Sequence, residues 1–288
     1  MRNALALSLF FCAASTAVFA CTKEEARVGS ASTTNAALPA VATTELAAIE
    51  APGAPEAAPK KPEAPSACPD GMILVDGMYC PSAEEKCLEW MEPPNDRYAH
   101  FRCARYAEPA TCKGERVHQR FCIGATEELE ADTKLPQNKK SYEDAEKICA
   151  ANGERVCTSD EWQFACEGEE MQPYPYGWQR DANACNVDIM KGLGHVGRLV
   201  DHRSTPDEHP NCVSPFGVHD MAGNVAEWVT DTHAPKKSQT VMKGAWWLPG
   251  KHACRDVQRG HNAIYAGTET GVRCCKDAPE TEVSANAK

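Results

Sequence analysis

Basic charge is scarce in this chain. Thirty Lys and Arg stand against 41 Asp and Glu, a formal net charge of −11. No basic stripe with interleaved aromatics is present, so electrostatics argue against nucleic acid or an anionic membrane surface as a partner. Long apolar runs are also missing. The stretch Ala4–Phe19 falls short of the ~20 apolar residues a bilayer span needs. Paired C-x₂-C knuckles are absent, which removes the usual zinc module. No Ser/His/Asp order, Gly-rich phosphate loop or internal repeat stands out.

The start of the chain is that of an exported protein. Arg2 supplies the positive charge, Ala4–Phe19 the apolar stretch and Ala20 the small residue before a cut, giving a signal peptide over 1–20. Val18-Phe-Ala-Cys21 has the form of a bacterial lipobox, with Cys21 the residue to be lipidated and Phe19 an unusual occupant. A plain cut near Ala20 without lipid is the alternative. Residues 21–67 are rich in Ala, Pro, Thr and Glu. They cannot bury enough apolar surface to offset the entropy of ordering and are expected to act as an extended tether. The polar stretch 277–288 is expected to be a disordered tail, leaving one domain at 68–276.

Cysteine is plentiful. Of sixteen, Cys12 and Cys21 precede the domain, and the other fourteen lie between Cys68 and Cys275. In an oxidising compartment that even number implies up to seven disulfides. Cys274 and Cys275 are adjacent, and side chains alternate on a strand, so they should bond different partners. Cys254 is expected to be one of those partners.

Local patterns place a few elements. The apolar run between Cys68 and Cys80 lies between two Asp-Gly pairs and predicts a strand with a turn at each end. Ser141 caps a predicted helix that ends at Asn152-Gly153, with Tyr142, Ala145, Ile148 and Cys149 on one face. Thr158-Ser-Asp-Glu161 is a capping-box start for a second helix, which sends Trp162, Phe164, Ala165 and Cys166 inward. Residues 179–215 are loop-rich.

The most informative segment is Ser214-Pro-Phe-Gly-Val-His-Asp-Met-Ala-Gly-Asn-Val-Ala-Glu-Trp-Val229. It sets Asp220 and Glu227 on either side of a Gly223-Asn224 turn, and exposed carbonyls beside two carboxylates are the hard oxygen donors Ca²⁺ requires. Asp220 bonding its own backbone in a metal-free turn is the bland alternative. Upstream stand Gly153-Glu-Arg-Val-Cys-Thr-Ser-Asp-Glu-Trp-Gln-Phe-Ala165, Tyr174-Pro-Tyr-Gly-Trp178 and Ala184-Cys-Asn-Val187; downstream stand Lys243-Gly-Ala-Trp-Trp247 and Thr270-Gly-Val-Arg-Cys-Cys275. In this order and spacing the blocks resemble the formylglycine-generating enzyme (sulfatase-modifying factor) family.

That resemblance implies an α+β mixed, loop-rich, disulfide-stapled fold related to C-type lectins. It implies a calcium site from the side chains of Asp220 and Glu227 and the carbonyls of Gly223 and Val225. A second site would begin at Asn186 and Val187, with Asp188 standing in for a carboxylate that has no obvious match. Active members use two cysteines as copper(I) ligands, because soft thiolates hold that ion. Without gaps, the second falls on Cys254, the first on Pro249 and a nearby active-site serine on Trp246. A single thiolate cannot make the two-sulfur site, so copper is not expected and Cys254 is read as a disulfide. Function is then a non-catalytic binding or structural module for a protein, peptide or envelope ligand. It would be tethered to the membrane by its lipid alone, facing the periplasm or cell surface. The alternative is a formylglycine-generating oxidase, or a related oxidoreductase, acting on a sulfatase cysteine. A third reading is a zinc protein with clustered free thiols.

The remaining chemistry is plainer. His195, His202 and His209 recur every seven residues among helix-breaking prolines and are read as surface loop residues; His261 is a ligand-facing or core residue. Trp162, Trp228, Trp246 and Trp247 are core candidates, the last two also candidates to line a cleft beside Pro249-Gly250.

Overall fold

A computed structural model describes residues 67–190 and 199–280. Cys21, the signal peptide, most of the tether and His195 lie outside the described residues. Within them the elements run β1 (Met72–Tyr79), β2 (Ala83–Glu84), β3 (Cys87–Trp90), β4 (Cys103–Tyr106), β5 (Thr111–Cys112), β6 (Val117–Gly124), α1 (Tyr142–Ala151), β7 (Arg155–Val156), α2 (Ser159–Glu167), β8 (Ala226–Thr230), β9 (Thr240–Lys243), β10 (Thr270–Gly271) and β11 (Cys274–Asp277).

Two sheets organise the core. A four-stranded sheet has the order β1-β6-β11-β7, and a three-stranded one the order β10-β8-β9. Helix α2 packs Trp162, Phe164, Ala165 and Cys166 against Val75, Phe121 and Ile123 of the first sheet and Val229 and Val241 of the second. Helix α1 covers a second cluster with Ala145 and Cys149, against Ala226, Trp228, Met242 and Val272. Both helices start as local sequence dictates. Ser141 accepts from the Asp144 amide, Thr158 accepts from the Glu161 amide, and each acidic side chain returns the bond to its cap.

Two expectations need correction. Asp70-Gly71 turns, with the Met72 amide bonded to Pro69 O, but Asp76-Gly77 does not. It continues β1, paired with Arg120 and Gln119 of β6. His118 and Arg120 hold the Asp76 carboxylate, and the bare Cα of Gly77 leaves room for Glu169, whose Oε1 accepts from the Met78 amide at 2.6 Å. The second correction concerns Cys254. It bonds Cys166, while Cys274 bonds Cys149 and Cys275 bonds Cys157. Alternation along β11 aims Cys274 at α1 and Cys275 at the opposite face. The Cys254 amide donates to Pro173 O, which sets that sulfur against α2. The other bridges are Cys68–Cys122, Cys80–Cys112, Cys87–Cys103 and Cys185–Cys212. All fourteen cysteines of the described residues are therefore paired. None of the described helices is long and apolar enough to cross a membrane.

Candidate functional site

The segment 214–229 folds into the tight turn its sequence suggested. Gly223 and Asn224 both have positive φ, +86° and +55°. A side chain on Gly223 would collide with the Asn186 carbonyl and with Val187. That close approach is clamped by the Asn224 amide, which donates to Asn186 O at 2.9 Å. The Asn224 amide side chain then gathers Asn186, Ser204 and Glu127 around itself. The two predicted metal regions, at 186–187 and 220–227, are thus brought together.

The expected ligands differ in what they have left to offer. Asp220 is 1% exposed, and neither of its carboxylate oxygens has a hydrogen-bond partner. Glu127 Oε2, also buried, is in the same condition. Burial raises the pKa of both, each further raised by a neighbouring carboxylate and opposed by Arg273. Orphaned buried carboxylate oxygens are what a bound cation would satisfy, so Asp220 fits a calcium ligand. Glu227 does not. Its Oε1 and Oε2 accept from Arg273 at 2.8 Å each, and Oε2 also accepts the Trp162 indole N–H at 2.5 Å. Arg273, fully buried, completes its set on the Gly124 and His219 carbonyls. Burial works against its charge, and Glu227, Glu127 and Asp220 more than offset that. Asp188 does not fit the second site either, since Arg180 holds both its oxygens and Arg102 shares one. The one three-residue cluster of potential metal ligands among the described residues is Glu128, Glu154 and Cys274. Its sulfur is spent in a disulfide.

Around Cys254 the chain is sealed. Cys254 has 0% exposure. Its carbonyl accepts from Lys243 Nζ at 3.0 Å, and Lys243 also donates to Gln163 Oε1 at 3.0 Å. Gln163 in turn donates to the Tyr79 hydroxyl. Burial pushes the Lys243 ammonium down to about 8, against the pull of Glu167 and Asp256. Flanking the disulfide, Arg255 and Glu167 form an ion pair at 2.6 Å. Burial still raises Glu167 to about 8 and its neighbour Glu85 to about 7. With every described cysteine oxidised, neither two copper thiolates nor a zinc thiolate set is on offer.

Beside this region lies a cavity of about 430 Å³. Trp246, Pro249, Gly250, Lys251 and Phe101 line it. Trp246 therefore faces a cleft, whereas Trp247 is fully buried with its indole N–H unpartnered. Trp162 and Trp228 are core residues. His261 is exposed and stacks on Tyr265 at 3.8 Å. Sequence reasoning passed over His252, buried between Arg180 and Trp246 O and held neutral by burial with its pKa down to about 4. Lys243 and Arg273 lie inside two of the family blocks, and nothing in their neighbours' letters marks their roles. Glu127 carried no local signal.

The profile of the sulfatase-modifying factor enzyme 1-like domain matches residues 89–278. The chain is 31% identical over 166 residues to a mouse (Mus musculus) protein named inactive C-alpha-formylglycine-generating enzyme 2, covering 54% of this chain and 52% of that one. The bovine (Bos taurus) protein of the same name is 28% identical over 175 residues, 57% of this chain and 58% of its own. The chain thus spans a little over half the length of these curated relatives. Among solved structures, PvdO from Pseudomonas aeruginosa aligns with 72% of this chain and 94% of its own, at 15% identity and a TM-score of 0.45. Residues 89–278, with the ordered blocks and paired cysteines they contain, make this chain a member of the sulfatase-modifying factor (formylglycine-generating enzyme-like) family.

Proposed function

We propose that this chain is an exported, lipid-anchored, non-catalytic binding module built on the sulfatase-modifying factor fold. The observation that carries the reading is the Cys166–Cys254 disulfide. It occupies the one sulfur that matches the copper pair, while Pro249 stands where the other would be. Ion pairs and Lys243 close over it. A thiolate oxidase needs the reverse, two reduced sulfurs facing solvent and substrate. The relatives named inactive agree with this reading. The cleft at Trp246 supplies a rigid aromatic wall for a ligand. Seven disulfides fit an oxidising compartment, and the lipobox at Cys21 fits a tether at the membrane.

Intact mass of the non-reduced protein before and after thiol alkylation tests the reading. No label should appear between Cys68 and Cys275, and Cys254 should map to Cys166. Labelling of Cys254 together with a second cysteine would restore the oxidase alternative, acting on a sulfatase cysteine. Acyl labelling lost in Cys21→Ser tests the anchor.

Calcium belongs to the proposal through Asp220, with the Gly223 and Val225 carbonyls beside it. Glu227 is committed to Arg273 and is left out of the ligand set. Titration of chelator-treated protein with Ca²⁺ should show binding and a raised thermal midpoint, both lost in Asp220→Asn. An unchanged midpoint in wild type would remove calcium from the account.

A further inference from the structure

The stretch that follows β6 delivers a carboxylate to the turn at Gly223. At the end of β6 the chain passes so close to itself that a Cβ on Gly124 would meet the Thr126 carbonyl at 2.9 Å. Ala125 O then accepts from the His219 amide at 2.8 Å, which lays residues 125–127 beside 219–220. Glu127 Oε1 accepts from Asn224 Nδ2 at 3.0 Å. Its other oxygen has no partner, in a residue 2% exposed. Glu127 is thus pinned by one oxygen to the turn that carries Asp220, and among its charged neighbours Asp220 acts on it most strongly.

The same turn holds further unclaimed oxygen. The carbonyls of Gly223 and Val225 accept from no amide or side chain among the described residues, although both residues are buried. Both Asp220 oxygens and Glu127 Oε2 are in the same condition. Charge leads to the same place. Glu227 neutralises Arg273, so Asp220 and Glu127 remain as two buried carboxylates with no cation of the chain bonded to them. Two such charges out of water are costly, and one divalent cation cancels both.

The donors select the ion. Neither Glu227 nor the unpartnered ring nitrogens of His202 and His219 complete a three-ligand cluster with this pair among the described residues. The set that the two carboxylates share is therefore all oxygen, which gives a softer metal no advantage. Carboxylates and carbonyls on an irregular turn suit Ca²⁺, which takes about six to eight oxygens in a flexible geometry, whereas Mg²⁺ demands a near-ideal octahedron and keeps its water. We propose that Glu127 supplies the second carboxylate of the calcium site, joining Asp220 and the Gly223 and Val225 carbonyls in the place the family pattern gives to Glu227. This rests on the calcium reading above and adds a ligand that reading lacks. An ion held in this way links the end of β6 to a turn 97 residues further along the chain.

The test titrates Ca²⁺ into the chelator-treated full chain by calorimetry and reads thermal midpoints in chelator and in Ca²⁺. Glu127→Gln keeps the shape of the side chain and the acceptor for Asn224 but loses the charge. It should weaken Ca²⁺ binding about ten-fold or more. In chelator it should melt above wild type, because a buried unpaired charge is gone. At a Ca²⁺ concentration that saturates wild type it should melt below, because less binding energy accrues to the folded state. A merely structural Glu127 would shift both midpoints the same way. With Tb³⁺ as the probe ion, luminescence lifetimes in H₂O and D₂O should count one more water on the metal in Glu127→Gln. Glu127→Asp keeps the charge and shortens the reach, and should weaken binding as well, so the inference does not hang on one substitution. Undiminished affinity in both Glu127 variants, with binding lost in Asp220→Asn, would overturn this inference and leave calcium in place. Absence of Ca²⁺ binding in wild type would overturn both.

Discussion

Arg273 is a charge with no access to water. Its guanidinium is satisfied by Glu227 and two carbonyls, so the pair holds β8, β11 and the turn at Gly124 in one register. Such pairs add little net stability, yet removing one partner strands the other. Glu227→Gln should cost about 3–5 kcal/mol in urea unfolding. A second consequence concerns pH. Burial raises the pKa of Glu85 and Glu167 to about 7 and about 8, above the carboxylate value of the unfolded chain, so the folded state binds more protons than the unfolded one between those limits. Stability through these groups is present at pH 4–5 and falls as pH rises towards 8. The thermal midpoint should drop across pH 5–8, with a shallower slope in Glu167→Gln. Lys243, depressed to about 8, contributes in the opposite sense only above that window. At this scale the sequence was half legible. The carboxylates around Gly223 announced an oxygen-rich turn. That Glu227 is spent on an arginine 46 residues away has no local signature.

The two helices are the most legible elements, because a capping box is a contact between residues three apart and is written in consecutive letters. Thr158→Ala should destabilise by about 1 kcal/mol, measured by urea unfolding, since it leaves the Glu161 amide without its acceptor. β1 was less legible. Asp-Gly is a turn signal in isolation, and what overrode it at Asp76-Gly77 was the partner strand and the Glu169 carboxylate, both distant in sequence.

Across the whole molecule the staples connect what short strands and long loops leave loose. Cys149–Cys274 closes a separation of 125 residues. On the chain-entropy account such a loop contributes about 4–5 kcal/mol, and the Cys149→Ala/Cys274→Ala double variant should show a loss of that order in the unfolding free energy from denaturant melts. The number of bridges was legible from an even cysteine count, and divergence of Cys274 and Cys275 from strand geometry. The identity of the Cys254 partner was not, because it depends on how α2 is packed.

The sheet order β1-β6-β11-β7 places the last strand of the fold between two earlier ones. β6 and β7 have no ladder with each other until Cys274–Asp277 arrives to bridge them. A ribosome delivers this keystone after everything it joins. Chains ending short of Cys274 should therefore leave β7 without its ladder and be cut faster than the full chain around β7 in limited proteolysis.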